Sequence, residues 1–164
     1  MKVISILLAV FFFSGLSAQD MKKFNAYHPE ENAGMRIEET VQKAAAAKKN
    51  VLIQVGGNWC IWCARFIDFV KSDPELDSVM KAGYEVYHLN YSKENLNSDI
   101  LARYQFPQRF GFPVFLVLDG QGNLLHTQDS GYLEEGKSYS KQKVMTFFTQ
   151  WNVKALSPDN YKEQ

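Results

Sequence analysis

The chain has very little cysteine. Among 164 residues there are two, Cys60 and Cys63. A framework of several disulfides is excluded. A closed zinc site is disfavoured too, because it wants four ligands and one C-x-x-C supplies two. The three histidines, His28, His88 and His126, lack ligand spacing. There is no charge excess either: 18 basic residues balance 18 acidic ones, with no polybasic run, which speaks against a nucleic-acid-binding surface. No internal repeat is present, and no low-complexity tract is longer than Ala44–Ala47. The apolar stretch Val3–Phe13 falls short of the roughly 20 residues of a membrane-spanning helix.

What is present suits a soluble globular domain, with 46% hydrophobic and 22% charged residues. The first residues stand apart. Lys2 precedes the apolar stretch, and Ser14, Gly15, Ser17 and Ala18 follow it, the pattern of a signal peptide cleaved after Ala18. Leu16 is larger than the residue usually found three before such a cut. An uncleaved membrane anchor is the alternative. No cysteine follows the apolar stretch, so a lipoprotein anchor is not expected. The expected organisation is a signal peptide over 1–18, an N-terminal extension over 19–34, one domain over 35–153 and a tail over 154–164, exported to the periplasm or secreted.

Pro29 and Gly34 break the polar extension. Helical spacing of Ile37, Val41, Ala44 and Ala45 predicts a helix over 35–49. The β-branched run Val51–Val55 predicts a buried strand, ended by Gly56, Gly57 and Asn58. Phe66, Ile67, Phe69 and Val70 form an apolar stripe, so a helix is predicted from about Cys60 to Ser72, stopped by Pro74. Pro74 then suits the first position of another helix. Strands are predicted at Tyr84–Tyr91, Pro113–Asp119 and Leu124–Gln128, the last two joined by the turn Asp119–Asn123. Helices are predicted at 95–104 and 139–153. Strand–helix–strand order implies a parallel pair, and the late hairpin adds antiparallel strands. The expected class is α/β: a mixed central β-sheet with helices on both faces.

Both cysteines lie in "GGNWCIWCARF", where a strand ends and a helix begins. The first turn of a helix has unpaired N–H groups and partial positive charge, so a thiolate there is stabilised. Cys60 is expected to be the exposed, activated sulfur, and Cys63, one turn on, can reach back to resolve a mixed disulfide. As a staple the pair would close almost no loop. Copper(I) held by two thiolates stays open as a second reading, although no methionine cluster accompanies it.

"VLIQVGGNWCIWCARF" and "FGFPVFLVLDGQGNLL" together resemble the thioredoxin superfamily: a strand, a W-C-x-x-C helix start, and a proline-led strand about 50 residues later. The segments "SDPELDSVMKAGYEVYHLNYSKEN" and "SGYLEE" are similar to its exported members, including the periplasmic domain of the transmembrane disulfide reductase. The resemblance, from about Glu38 to Trp151, implies a thioredoxin-like fold. It implies a redox-active Cys60–Cys63 disulfide with no other cofactor. Cys60 would be the nucleophile, Cys63 the resolving thiol and Pro113 a cis proline. Phe112 would pair its backbone with an extended substrate, and Trp59 and Trp62 would shape the docking surface. Core packing is the alternative for these aromatic residues. The sequence departs from the common pattern in three places: Ile61-Trp62 stands between the cysteines, Gln54 where the family buries an aspartate, and His88 where a lysine often accompanies it. Gln54 cannot act as a base, and His88 is either a proton-handling group or a half-buried structural histidine.

The expected activity is that of an exported thiol–disulfide oxidoreductase. The span between the active-site helix and Pro113 has no room for the large helical insertion of strong oxidases, which favours a reductase. Expected partners are protein disulfides and a membrane-embedded electron donor, with no nucleic acid and a monomeric state. The alternatives are a non-enzymatic binding or copper-carrying module, and a disulfide oxidase or isomerase.

Overall fold

The computed structural model describes Met21 and residues 23–162; the expected export signal lies outside the described residues. Helix α1 runs over Ala33–Ala47. Asn32 caps it, its side chain accepting the Met35 N–H, and Lys48 ends it in the left-handed region at φ 56°. The helix starts two residues earlier than its spacing predicts, so Gly34 sits inside the first turn. The Asn32 cap, not the glycine, sets the boundary.

Strand β1, Asn50–Gly56, is buried along its whole length. It pairs in parallel with β2, Tyr84–Asn90, and antiparallel with β3, Val114–Leu118. β3 pairs antiparallel with β4, Leu124–Asp129, giving the order β2-β1-β3-β4. Side chains alternate across such a sheet. Val51, Ile53 and Val55 of β1, with Val114, Leu116 and Leu118 of β3, join Ile37, Ala44, Leu101 and Tyr104 on one face. Leu52, Phe115 and Val117 join Phe66, Val70, Leu76, Val144, Phe147 and Phe148 on the other. Each fully buried aliphatic or phenyl side chain contributes roughly 1.5–3 kcal/mol of transfer free energy, and both faces of the central strands are used.

The crossover from β1 to β2 is α2, Ile61–Ser72, followed by α3, Pro74–Gly83. Asp73 starts α3, accepting the N–H groups of Glu75 and Leu76, with Pro74 at the first position. Helix α4, Ser98–Arg103, is shorter than predicted: Asn95 accepts the Asn97 N–H, and Asn97 adopts φ 48°, so this stretch turns before the helix begins. Helix α5, Lys141–Gln150, also starts later than predicted. Tyr139 belongs instead to a small hairpin, β5 (Glu134–Glu135) with β6 (Ser138–Tyr139), which the sequence pattern did not show. The result is an α/β sandwich with helices on both faces of a mixed sheet.

Candidate active site

The reactive end of the molecule is built where β1 stops. Cys60 is the residue before α2, in extended backbone, and its Sγ accepts the Cys63 N–H at 3.1 Å. A sulfur thus occupies the capping place usually filled by a serine or aspartate oxygen. Cys60 and Cys63 are joined in a disulfide with Cα atoms 5.2 Å apart. When the bond opens, the Cys60 sulfur faces the unpaired amides and positive end of α2, which favours its thiolate.

Both cysteines are buried. Cys60 is 4% accessible and Cys63 not at all, against the expectation of an open nucleophile. Most of the cover comes from outside the motif. Tyr27, itself inaccessible, forms a cluster with both cysteines, and Phe24, Ala26, Trp62 and Phe112 pack around them. Asn58 fixes this cover. It accepts the Tyr27 N–H at 3.0 Å, donates to the Tyr27 carbonyl at 2.8 Å and donates to Asn25 Oδ1 at 3.1 Å. The polar extension, which sequence patterning leaves as a loop, is therefore a wall of the site. Only the aromatic residues Phe24 and Tyr27 of "FNAYHPEENAG" hinted at it.

On the open side Trp59 is 55% exposed, and its Nε1 donates to the Tyr91 carbonyl at 2.9 Å. Its ring meets Phe112 edge-on at 5.4 Å, and Phe112 stacks on Tyr91 at 4.9 Å. The Phe112–Pro113 peptide is cis. Pro113 is buried just ahead of β3, and Phe112 half-buried. Trp59, Tyr91 and Leu96 line a groove of about 470 Å³ beside this aromatic ledge. Trp62, in contrast, is half-buried. It packs edge-on against Tyr139 at 5.6 Å, the Tyr139 hydroxyl donates to its carbonyl at 3.0 Å, and Arg65 lies over its ring. The hairpin that carries Tyr139 covers one side of the Trp62 ring.

Gln54 is buried, and its Nε2 donates to the Cys63 carbonyl at 3.1 Å, tying β1 to the first turn of α2. His88 lies opposite Gln54 in the parallel register. Burial, helped by Lys71 and His28, lowers its pKa to about 4 and leaves the ring neutral at neutral pH. The ring packs on Tyr27 at 5.5 Å. Gln54 and His88 also line a cavity of about 310 Å³ between α2, α3 and β2, among Phe66, Val70 and Met80. Among the described residues no cluster of three or more His, Cys, Asp or Glu could hold a metal ion.

A thioredoxin-like family matches residues 33–120, more than half of the chain, and the chain belongs to that family. A disulphide isomerase of Xylella fastidiosa Temecula1 is similar at 21% identity, with 76% of this chain and 94% of that one covered and a TM-score of 0.65. The C-terminal domain of Neisseria meningitidis DsbD, in its oxidised form, is similar at 15% identity over 73% and 96%, with a TM-score of 0.54. A DsbH oxidoreductase is similar at 18% identity over 81% and 88%, also with a TM-score of 0.54. These likenesses show the fold. No curated protein matches the chain by sequence. A thioredoxin-like domain with a C-x-x-C disulfide at the start of a helix is a thiol–disulfide oxidoreductase.

Proposed function

We propose that this protein is an exported reductase of protein disulfides. The observation that carries the chemistry is the Cys60 sulfur in the capping place of α2, with Cys63 bonded to it one turn away. In the reduced protein the Cys60 thiolate attacks a substrate disulfide, forming a mixed disulfide and releasing one substrate thiolate. Cys63 then attacks the Cys60 sulfur. The Cys60–Cys63 bond forms, the second substrate thiol leaves, and two electrons have passed from the protein to the substrate. Trp59 and Phe112 form the ledge on which an extended substrate chain lies, its backbone paired beside Pro113.

The reductive direction is supported by what lies between α2 and Pro113: α3, β2, α4 and one 3-10 turn, with no large helical insertion. A reductase in an oxidising compartment needs an electron supply, so a membrane-embedded dithiol donor is the partner, and the protein acts as a monomer with no resident cofactor. Export rests on residues 1–18; protein recovered from the exported fraction should begin at Gln19.

The test is trapping with Cys63→Ser. Covalent mixed disulfides through Cys60 are expected in extracts of the exported compartment. No trapped partner, with stoichiometric copper bound instead, would favour the copper-carrying module. The reduction potential decides direction: a value near −270 mV supports a reductase, whereas one near −120 mV would make the protein an oxidase.

A further inference from the structure

The Tyr27 side chain is inaccessible, and its hydroxyl has no hydrogen-bond partner among the described residues. The Gln54 side chain acts on the phenol oxygen only as a donor, outside full hydrogen-bond geometry, and leaves the hydroxyl proton uncommitted. A buried hydroxyl without a partner is unusual, since leaving one unsatisfied costs about 1–3 kcal/mol. Its position is specific. A methyl group placed on Gly56 would stand 2.4 Å from Cys63 Sγ and 2.8 Å from Tyr27 Oη. The hydroxyl and the resolving sulfur therefore share the small space that the missing Gly56 side chain leaves open. In the disulfide, that sulfur is a poor acceptor. After reduction it becomes a thiol that must ionise to attack.

We propose that the Tyr27 hydroxyl donates a hydrogen bond to the Cys63 sulfur once the disulfide opens, stabilising the thiolate that resolves the mixed disulfide. Burial pushes the Tyr27 phenol well above its ordinary value, so it keeps its proton and acts as donor, not base. Of the titratable groups beside it, His88 packs on its ring and is neutral, and Tyr139, whose own phenol burial raises, pushes it further up. Gln54 is already engaged with the Cys63 carbonyl. Tyr27 is thus the polar side-chain group positioned for this task. In the resolving step, the new bond is Cys63 Sγ to Cys60 Sγ, and the bond from Cys60 to the substrate sulfur breaks. The thiol proton lost by Cys63 is balanced by the one taken up by the departing substrate sulfur, while Tyr27 retains its own.

The role rests on the disulfide-exchange reading above, and the test separates the two. In the full chain with Cys60→Ser, the Cys63 thiol is titrated with and without Tyr27→Phe. The phenylalanine is expected to raise the Cys63 pKa by about one unit, tenfold less thiolate at neutral pH. In the protein with both cysteines, Tyr27→Phe is expected to slow resolution of a preformed mixed disulfide about tenfold. Alkylation of Cys60 in a Cys63→Ser background should change less than twofold. An unshifted Cys63 pKa with unchanged resolution overturns the proposal, as does an equal loss of Cys60 reactivity, which would mark a general loosening. If Tyr27→Phe does not fold, the unaltered protein decides. Its reduced-minus-oxidised Raman spectrum should show one tyrosine becoming a stronger donor, and a flat tyrosine difference overturns the proposal. A wild-type chain that exchanges no disulfide sinks the enzyme reading, whereas an active Tyr27→Phe enzyme with an unaltered Cys63 sinks only the role of Tyr27.

Discussion

Asn58 holds the backbone of Tyr27 at both its polar groups, accepting the N–H at 3.0 Å and donating to the carbonyl at 2.8 Å. Thirty-one positions separate the two residues, and the paired contact ties the extension to the loop that leads into Cys60. Asn58→Ala leaves both Tyr27 groups without these partners. A loss of about 1–3 kcal/mol in urea unfolding is expected. Reduction of the Cys60–Cys63 bond by a small dithiol should become faster, and amide exchange at Tyr27 should rise. Exchange and reduction rates equal to wild type would show that Asn58 does not hold the cover in place.

Gly56→Ala tests how tightly this end is packed. The added methyl would meet Cys63 Sγ at 2.4 Å and Tyr27 Oη at 2.8 Å, distances that force displacement. Overpacking of this kind costs about 1–3 kcal/mol. The expected outcome is a lower urea midpoint with an unchanged slope, together with a more reducible disulfide. A variant as stable as wild type would mean that Tyr27 yields freely.

His88 gives the protein a pH dependence with a defined sign. Its folded pKa of about 4 lies below the ordinary 6.5, so the unfolded chain binds the extra proton first. Its contribution is complete above about pH 6.5 and is lost as pH falls toward 4. The full loss is on the order of 3 kcal/mol. Urea unfolding between pH 4.5 and 7 should show stability rising with pH, and His88→Gln should flatten that slope. An unchanged slope would assign the acid sensitivity to other groups.

Trp59 is the large exposed side chain beside the sulfurs, resting on Phe112 and hydrogen-bonded to Tyr91. Trp59→Ala is expected to lower kcat/KM for a disulfide-bonded protein about tenfold, as loss of an aromatic anchor does. Exchange with a small-molecule disulfide should change little. Equal losses for both substrates would place Trp59 in support of the sulfurs instead of in docking.

The sulfur pair and the sheet were legible because their signals are local. A β-branched run followed by glycines and W-C-x-x-C encodes a strand end and a helix start within a dozen residues, and β1 and α2 follow that plan. The proline-led strand and its turn are equally local. What was not legible depends on distant partners. Cys60 is buried in a cluster with Tyr27, against which Phe24 and Ala26 pack, and nothing in the periodicity of that polar stretch marks it as packed. Trp62 is covered on one side by Tyr139 from a hairpin of two-residue strands, too short to leave an alternating pattern. Gln54 looked like a lost acid in the sequence; its bond to the Cys63 carbonyl makes it a brace for the helix.

Residues 33–120 match the family, yet Tyr27, which clusters with both cysteines, and Phe24 and Ala26, which pack against that cluster, lie ahead of that stretch. The residues ahead of the family-matched stretch are therefore a tuning handle that can be exchanged without rewriting the scaffold. Grafting 24–27 from one relative onto another should carry part of the donor's sulfur chemistry with it, leaving strands and helices as they were.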